Sequence, residues 1–584
     1  MGMRMRMGMR MGMRKTVVVL GHLELVRVVL VCALFGSVSA RSCSESRRAY
    51  GEQGYSASAP LNAMSGEHLR FCPRDYTCCT SVMEETLVRQ SEADFLSSVE
   101  ETSQFLLTSF THTHRRFDEF FHELIGVSEK SMNQMFTKTY GRMYTQNTRL
   151  FQQLFTQLRQ YYTDGGVYIS EAVSDFWTEL VERVFTLLNP HYHFSVDYLE
   201  CVSKHTQHLQ PFGELQRKLS TQLSRALIAA RALVQGLSTG RDIVNKAIKF
   251  SVSAECGQAL MRQLYCPLCS GSPSLRSCHP LCLNIMKGCL ANLAELNSEW
   301  NRFIDSLLSL AERLNGPFNV ELAADSVAVK ISEAIMHMQE NSISISTKVF
   351  QGCGNPRPAP SRTKRSPRER ERERKTDRDR ESRKTFRTFS PEEKPTTAAG
   401  TNMDRLMLDL QQSLRPMREF WVMLPHSLCN EDKMAADVTN EERCWNGYTR
   451  GRYLMSVTAD GLVNQLNNPE VDVDSSLDIR TRQILMELRV AIHRLTLAYQ
   501  GVDTDTVHSD DEDGSGSGLV DGEELYRNDW PNSPRSPAHP YKPRPRDRSR
   551  VHGSVKSAVQ RVSPLSFFSL CLSLLFFLIL QWRK

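Results

Sequence analysis

Apolar residues recur at three- and four-residue steps through most of the chain between about residues 82 and 350. Phe105, Leu106, Phe110, Phe117, Phe120, Phe121 and Leu124 set the pattern, which puts a continuous apolar stripe on one side of a helix. The same step returns from Met143 to Leu158, in the Ala-rich segment Arg225 to Leu237, from Cys289 to Leu314, from Asn402 to Trp421 and from Ile479 to Tyr499. Period-two alternation is scarce, so the pattern predicts an all-α, multi-helix body in two parts, 41–353 and 399–500. His112 and His114 lie two apart within the first helix. They share no helical face well and read as surface or satisfied side chains rather than metal ligands.

Two stretches break the pattern. Residues 354–398 run through Ser361-Arg-Thr-Lys-Arg-Ser-Pro and an Arg-Glu repeat starting at Arg368; from Arg357 to Arg387 there are fourteen Lys/Arg against six acids, with almost nothing apolar to bury. Such composition predicts a disordered basic loop interrupting one body. Within it, Arg362-Thr-Lys364-Arg365 fits the Arg-x-Lys-Arg pattern cut by furin-type convertases; chance occurrence in a basic repeat is the alternative. Residues 501–553 are rich in Asp, Gly, Ser, Pro and Arg and read as a disordered stalk. The stalk is polarised: Asp503 to Asp529 holds ten acids and one Arg, and Arg535 to Arg550 holds six Lys/Arg and one Asp.

Both ends read as sorting signals. A basic start reaching Arg14 and Lys15, an apolar run from Val28 to Phe35 and Val38-Ser39-Ala40 predict a signal peptide, 1–40, cut after Ala40. Gly2 does not signal myristoylation, because Arg6 stands where that motif needs Ser or Thr. At the other end Leu565 to Leu580 is apolar apart from three serines, short of the ~20 residues a spanning helix needs. Small residues and a short spacer precede it, as a glycosylphosphatidylinositol (GPI) signal requires, so 554–584 is expected to be removed. Gly553 is the expected attachment residue, with Ser557 the alternative; a short single-pass helix is the competing reading. The two removed ends carry +5 and +4, so the mature chain falls from the formal +6 to about −3. The basic balance belongs mostly to discarded pieces, so it is no argument for nucleic-acid binding, and no nucleic-acid partner is expected.

Sixteen cysteines include Cys32 in the signal peptide and Cys571 in the tail, leaving fourteen. An even count in an oxidising compartment predicts seven disulfides. Cys266-Pro-Leu-Cys269 has a spacing that can close on a metal, but six cysteines crowd between 256 and 289 and no His pair follows at finger spacing, so no metal is expected.

The chemistry-bearing motif is in the stalk: Asp510-Asp-Glu-Asp-Gly514-Ser515-Gly-Ser517-Gly518. Xylosyl transfer to a serine hydroxyl needs an unhindered acceptor, which flanking glycines supply, and neighbouring acids that engage a basic enzyme groove. Ser515 and Ser517 are therefore the expected glycosaminoglycan attachment sites, against the blander reading of a Gly/Ser linker. Ser65-Gly66 and Ser270-Gly271 lack an acidic cluster and are discounted. No Asn-x-Ser/Thr sequon, nucleophile elbow, zinc-protease helix, phosphate loop or dinucleotide fingerprint is present, so neither an enzyme nor a cofactor is expected.

Five stretches carry a resemblance: Ser65-Gly-Glu-His-Leu-Arg-Phe-Cys-Pro-Arg-Asp-Tyr-Thr-Cys-Cys-Thr80, Gly288-Cys-Leu-Ala-Asn292, Gln351-Gly-Cys-Gly-Asn-Pro356, Arg443-Cys-Trp-Asn-Gly447 and Asn467-Asn-Pro-Glu470. With fourteen body cysteines in this order, the chain resembles the glypicans, cell-surface heparan sulfate proteoglycans, over nearly all its mature length. The resemblance implies an elongated, nearly all-helical body with cysteines grouped toward the end away from the membrane. It also implies the pairs Cys43–Cys78, Cys72–Cys266, Cys79–Cys269, Cys201–Cys353, Cys256–Cys289, Cys278–Cys444 and Cys282–Cys429. It further implies a co-receptor on the outer face of the plasma membrane for fibroblast growth factors, Wnt and Hedgehog ligands. Two departures bear on this: only two Ser-Gly units, where relatives often carry three or more, and an unusually Arg-Glu-rich loop.

Overall fold

The computed structural model describes residues 42–54, 59–72, 75–163, 165–359 and 402–503. These residues fall in one compact unit. In chain order the helices are α1 (Ser44–Glu52), α2 (Ser81–Tyr140), α3 (Arg142–Thr145), α4 (Thr148–Thr163), α5 (Ile169–Leu188), α6 (Val196–Leu209), α7 (Glu214–Ala247), α8 (Ala254–Leu264) and α9 (Cys266–Cys269). They continue as α10 (His279–Cys289), α11 (Ala291–Ala294), α12 (Asn297–Asn315), α13 (Val320–Glu340), α14 (Ser342–Cys353), α15 (Met403–Leu414), α16 (Phe420–Cys429), α17 (Leu462–Gln465) and α18 (Ile479–Gln500). Four two-residue strands make two antiparallel ribbons, β1 (Met64–Ser65) with β2 (Tyr76–Thr77) and β3 (Tyr192–His193) with β4 (Arg357–Pro358).

α2 is the spine. At ~1.5 Å per residue its 60 residues span about 90 Å. Thr80 caps it by accepting the Met83 N–H at 3.3 Å, and Gly141, at φ +52°, ends it where a side chain would be strained. Its buried positions step by three or four from Met83 through Phe95, Phe110 and Phe121 to Phe136, so one stripe stays covered along its whole length. Phe105, expected on this stripe, is 45% exposed and sits edge-on to Phe420 at the rim.

α7 packs against α2, α12, α13 and α18, and its small-residue middle, Ala226 to Leu237, is buried on most sides. Ala226, Ala229, Ala230, Gly236 and Gly240 keep it thin enough for four neighbours. A Cβ on Gly240 would lie 2.6 Å from Phe110 Cε1, and one on Gly236 would lie 2.8 Å from Leu307 Cδ2.

Three boundaries differ from the sequence pattern. The stretch from Cys289 to Leu314 is not one helix but α11 and α12, separated by a turn at Leu296 that leaves the three- and four-residue spacing intact. Residues 354–359, assigned by composition to the basic loop, are held by the β3–β4 ribbon and by the Ala359 N–H donating to His191 O at 2.9 Å. Residues 501–503, assigned to the stalk, close α18: Gly501 at φ +82° donates to Ala498 O and Val502 to Leu497 O, the double-bonded helix stop that needs a left-handed residue.

Candidate functional site: the stapled lobe and the stalk root

Six disulfides tie residues 42–80, α8–α10, α16 and the segment 430–478 into one cross-linked lobe; the seventh, Cys201–Cys353, joins α6 to α14. The bonds found are Cys43–Cys78, Cys72–Cys266, Cys79–Cys269, Cys201–Cys353, Cys256–Cys289, Cys278–Cys444 and Cys282–Cys429, bringing together the cysteines that the resemblance pairs. Cys278–Cys444 and Cys282–Cys429 join residues on either side of 360–401.

The signature stretches have local reasons. In the first, Glu84 in the opening turn of α2 is 3% exposed and accepts three backbone N–H groups, from Arg70 at 2.8 Å, Phe71 at 2.9 Å and Cys72 at 3.1 Å. One buried carboxylate at a helix N-terminus thereby fixes the loop that presents Cys72, Cys78 and Cys79. Trp445 is buried, its indole N–H donates to Arg262 O at 2.8 Å, and its own backbone exchanges bonds with Arg276 and Cys278. The neighbouring Asn446 Oδ1 accepts the Tyr448 and Thr449 N–H groups, an Asx turn beside Gly447 at φ +99°. Asn468 Oδ1 accepts from Glu470 and Val471, while its amide donates to Asn284 O at 2.8 Å. Gly288 lets this segment close on α10, since a Cβ there would sit 2.7 Å from Val471 Cβ.

A second cluster stands just after α18, at Asp503. The Tyr161 hydroxyl hydrogen-bonds with Asp503 and Arg231, and the Arg231 guanidinium lies over the Tyr161 ring at 5.0 Å. Burial, reinforced by the Asp503 charge, pushes the Tyr161 hydroxyl far up, so it stays a donor. Gly165, at φ +70°, leaves the room that Arg231 fills. A groove of about 360 Å³ between α7 and α18 opens beside this cluster, lined by Gln235, Met486, Val490 and Arg494 among others. Sequence reading missed the cluster because its three members come from three distant segments.

Ser515, Ser517, Gly553 and Ser557 lie outside the described residues, as do Arg362, Lys364 and Arg365. Of the discounted serines, Ser65 is in β1, and Ser270 donates to Pro267 O at 2.8 Å in the turn after α9. His112 is exposed and His114 half-buried on α2. Among the described residues no helix is long and apolar enough to cross a membrane. Cys201, His205 and Cys353 are the one group among them whose ligand atoms converge as a metal site requires.

Comparison with known proteins adds the deciding observation: the glypican family profile matches residues 26–580. The chain belongs to the glypican family. Glypicans are cell-surface heparan sulfate proteoglycans, and their core proteins carry no assigned catalysis. This glypican is 46% identical to Glypican-2 of Mus musculus over 84% of its own length and 83% of the relative's, and 42% identical to Glypican-1 of Gallus gallus over 82% and 84%. The signature stretches suggest glypican-1 first and glypican-2 next; over the aligned length the identity is instead higher to Glypican-2, 46% in Mus musculus and 45% in Homo sapiens, than to Glypican-1, 42% in Gallus gallus. A crystal structure of full-length glypican-1 core protein matches with TM-score 0.70 and 38% identity, covering 79% of this chain and 100% of that one. Dally-like protein in complex with O-palmitoleoyl serine matches with TM-score 0.60 and 30% identity over 80% of this chain and 100% of that one.

Proposed function

We propose that this glypican is a GPI-anchored heparan sulfate proteoglycan of the outer cell surface that binds and concentrates heparin-binding growth factors and morphogens, among them fibroblast growth factors, Wnt and Hedgehog ligands, as a co-receptor. The observation that carries the reading is the pair Ser515 and Ser517 between glycines and beside four consecutive acids, only twelve residues beyond the buried anchor Asp503. A helical body rooted at Asp503 supports a freely accessible acceptor at that distance. Sulfated chains of high linear charge attract basic patches on diffusible proteins and release counterions on binding, so binding through them weakens steeply with salt.

The domain order that accompanies this reading is signal peptide 1–40, core 41–353, basic loop 354–398, core 399–500, stalk 501–553 with lipid on Gly553 or Ser557, and a removed tail 554–584. A convertase cut after Arg365 in the motif Arg362-Thr-Lys364-Arg365 belongs to the same proposal. Replacing both Ser515 and Ser517 by Ala turns a heparinase-sensitive smear into one sharp band; no shift refutes attachment there. Phosphatidylinositol-specific phospholipase C releases the protein from cells; retention refutes the anchor.

A second reading, binding through the helical body, draws support from the relative solved with O-palmitoleoyl serine and from an apolar cavity lined by Phe121, Leu124, Phe155, Leu158, Leu223 and Val327. That cavity measures about 20 Å³, far less than an acyl chain, so α2, α4, α7 and α13 have to part to admit one. Full ligand binding by the Ser515→Ala/Ser517→Ala protein favours this reading over the first.

A further inference from the structure

Six of the seven disulfides have at least one fully buried cysteine, whereas both Cys201 and Cys353 are partly exposed. His205 follows Cys201 by one turn of α6, and its Nδ1 lies 3.7 Å from Cys201 Sγ and 3.6 Å from Cys353 Sγ. The imidazole lies against Gly352, where a Cβ would fall 2.0 Å from Nε2, so any side chain at 352 would displace the ring. All three donor atoms lie within 4.8 Å of one another. We propose that Cys201, His205 and Cys353 form a redox-gated site: a disulfide when oxidised and, after reduction by a dithiol, a three-ligand site for a zinc-class divalent cation.

The chemistry balances without further reactants. A thiolate of the dithiol attacks one Sγ, the Cys201–Cys353 bond breaks, and its electron pair leaves on the other sulfur. The second thiol of the reductant then resolves the mixed disulfide, giving one reductant disulfide and two protein thiols that hold the reductant's two protons. Partial exposure of both sulfurs admits the attacking thiolate. The buried pairs lack that access.

The geometry then suits a metal. A tetrahedral zinc with Zn–S of about 2.3 Å and Zn–N of about 2.0–2.1 Å has N···S edges of about 3.6 Å. Both Nδ1–Sγ separations already have that value. Only the sulfurs have to part, to about 3.8 Å, within reach of cysteine side-chain rotation at two surface positions. Binding expels the two thiol protons, and three protein ligands leave the fourth position to water. The switch would act on the root of the basic loop, because Cys353 is the residue just before Gly354, whose carbonyl also accepts the Tyr198 hydroxyl at 2.7 Å. Reduction releases the covalent fastening there, leaving the Tyr198 hydrogen bond and the β3–β4 ribbon, and the metal restores a direct link.

The test uses the full chain, graded dithiothreitol, differential alkylation read by mass spectrometry, and Co²⁺ as an optical probe. Cys201 and Cys353 are expected to label before any other pair, and the partly reduced protein to bind one Co²⁺ with a thiolate charge-transfer band. His205→Ala, a surface change, leaves the order of labelling intact and weakens Co²⁺ binding by at least about tenfold. Cys201→Ser/Cys353→Ser, its fold checked by circular dichroism, abolishes both signals. Prior labelling of a buried pair, or equal Co²⁺ affinity in His205→Ala, overturns the proposal.

Discussion

Replacing Glu84 by Ala tests whether one carboxylate organises the cysteine loop. The side chain is 3% exposed and accepts the N–H groups of Arg70, Phe71 and Cys72. Arg70 is at the surface, so water can replace that bond; Cys72 is buried and Phe71 half-buried, and their N–H groups are left without an acceptor. A buried donor left unsatisfied costs about 1–3 kcal/mol, so the two together are expected to cost about 2–4 kcal/mol after partial relaxation. Cys72–Cys266 and Cys79–Cys269 keep the loop tethered, which confines the loss to local opening rather than global unfolding. At about 1.4 kcal/mol per factor of ten, amide exchange across residues 70–72 should quicken by roughly 30- to 700-fold. Hydrogen-exchange mass spectrometry with disulfides reduced only after quench reads this directly. Glu84→Gln should fall between wild type and Ala, since its amide oxygen serves one side and its NH₂ opposes the other. Exchange changed by less than about threefold in Glu84→Ala would refute the argument.

Gly240→Ala puts a Cβ 2.6 Å from Phe110, which is fully buried and edge-on to Trp300 at 5.8 Å, so overpacking of about 1–3 kcal/mol should outweigh the ~1 kcal/mol gained in helix propensity; a raised melting temperature in calorimetry would mean the contact is slack. Burial, aided by Lys287 and His279 against the opposing pull of Asp460, holds His426 below the usual imidazole range, so the unfolded chain binds that proton more readily and stability falls as pH drops through about 6.5. An NMR titration midpoint of His426 at or above the peptide value would contradict this, as would an unchanged acid slope in His426→Gln. Cleavage after Arg365, natural or at a protease site built there, should leave one band on an unreduced gel and two after reduction, because Cys278–Cys444 and Cys282–Cys429 span the cut; replacing all four by Ser should let the pieces part under denaturation.

The helices were legible wherever burial is one-sided and long. The stripe on α2 from Leu106 to Leu124 emerges from residue spacing alone because every turn meets a neighbour. Spacing failed where direction changes without a change of phase, as at Leu296 between α11 and α12, and it misjudged Phe105, which lies one residue off the buried stripe of Ser103, Leu106 and Phe110 and so reaches only the rim against Phe420. It was silent over 430–478, where order comes from side-chain hydrogen bonds. The buried amide of Asn284 donates to Tyr453 Oη and Ser456 O, and its oxygen accepts the Thr458 N–H. Such bonds have no period. The meeting of Tyr161, Arg231 and Asp503 had no local signal either, since a pairing across hundreds of residues depends on helix packing. His205 did leave one, standing four residues after Cys201 on a helix, but the spacing gains meaning only once Cys353 is brought opposite.

These placements bear on how a binding function would divide between body and chains. Residues 360–401 leave and re-enter a body whose two sides are joined by two disulfides, so a cut between them leaves the fold's covalent frame intact. α18 ends in a helix stop followed by the buried Asp503, and Ser515 and Ser517, the glycan acceptors under the proposed function, follow twelve and fourteen residues later in the sequence. Binding by sulfated chains would then depend on salt and be indifferent to a cut in the loop, because Cys278–Cys444 and Cys282–Cys429 still join the two sides of the body. Binding by the body has the opposite signature: weak salt dependence, and sensitivity to whatever loosens α6, α14 or the lobe. Measuring one ligand against salt for the intact, the cleaved and the Ser515→Ala/Ser517→Ala proteins separates the two, since a single mode cannot produce both patterns.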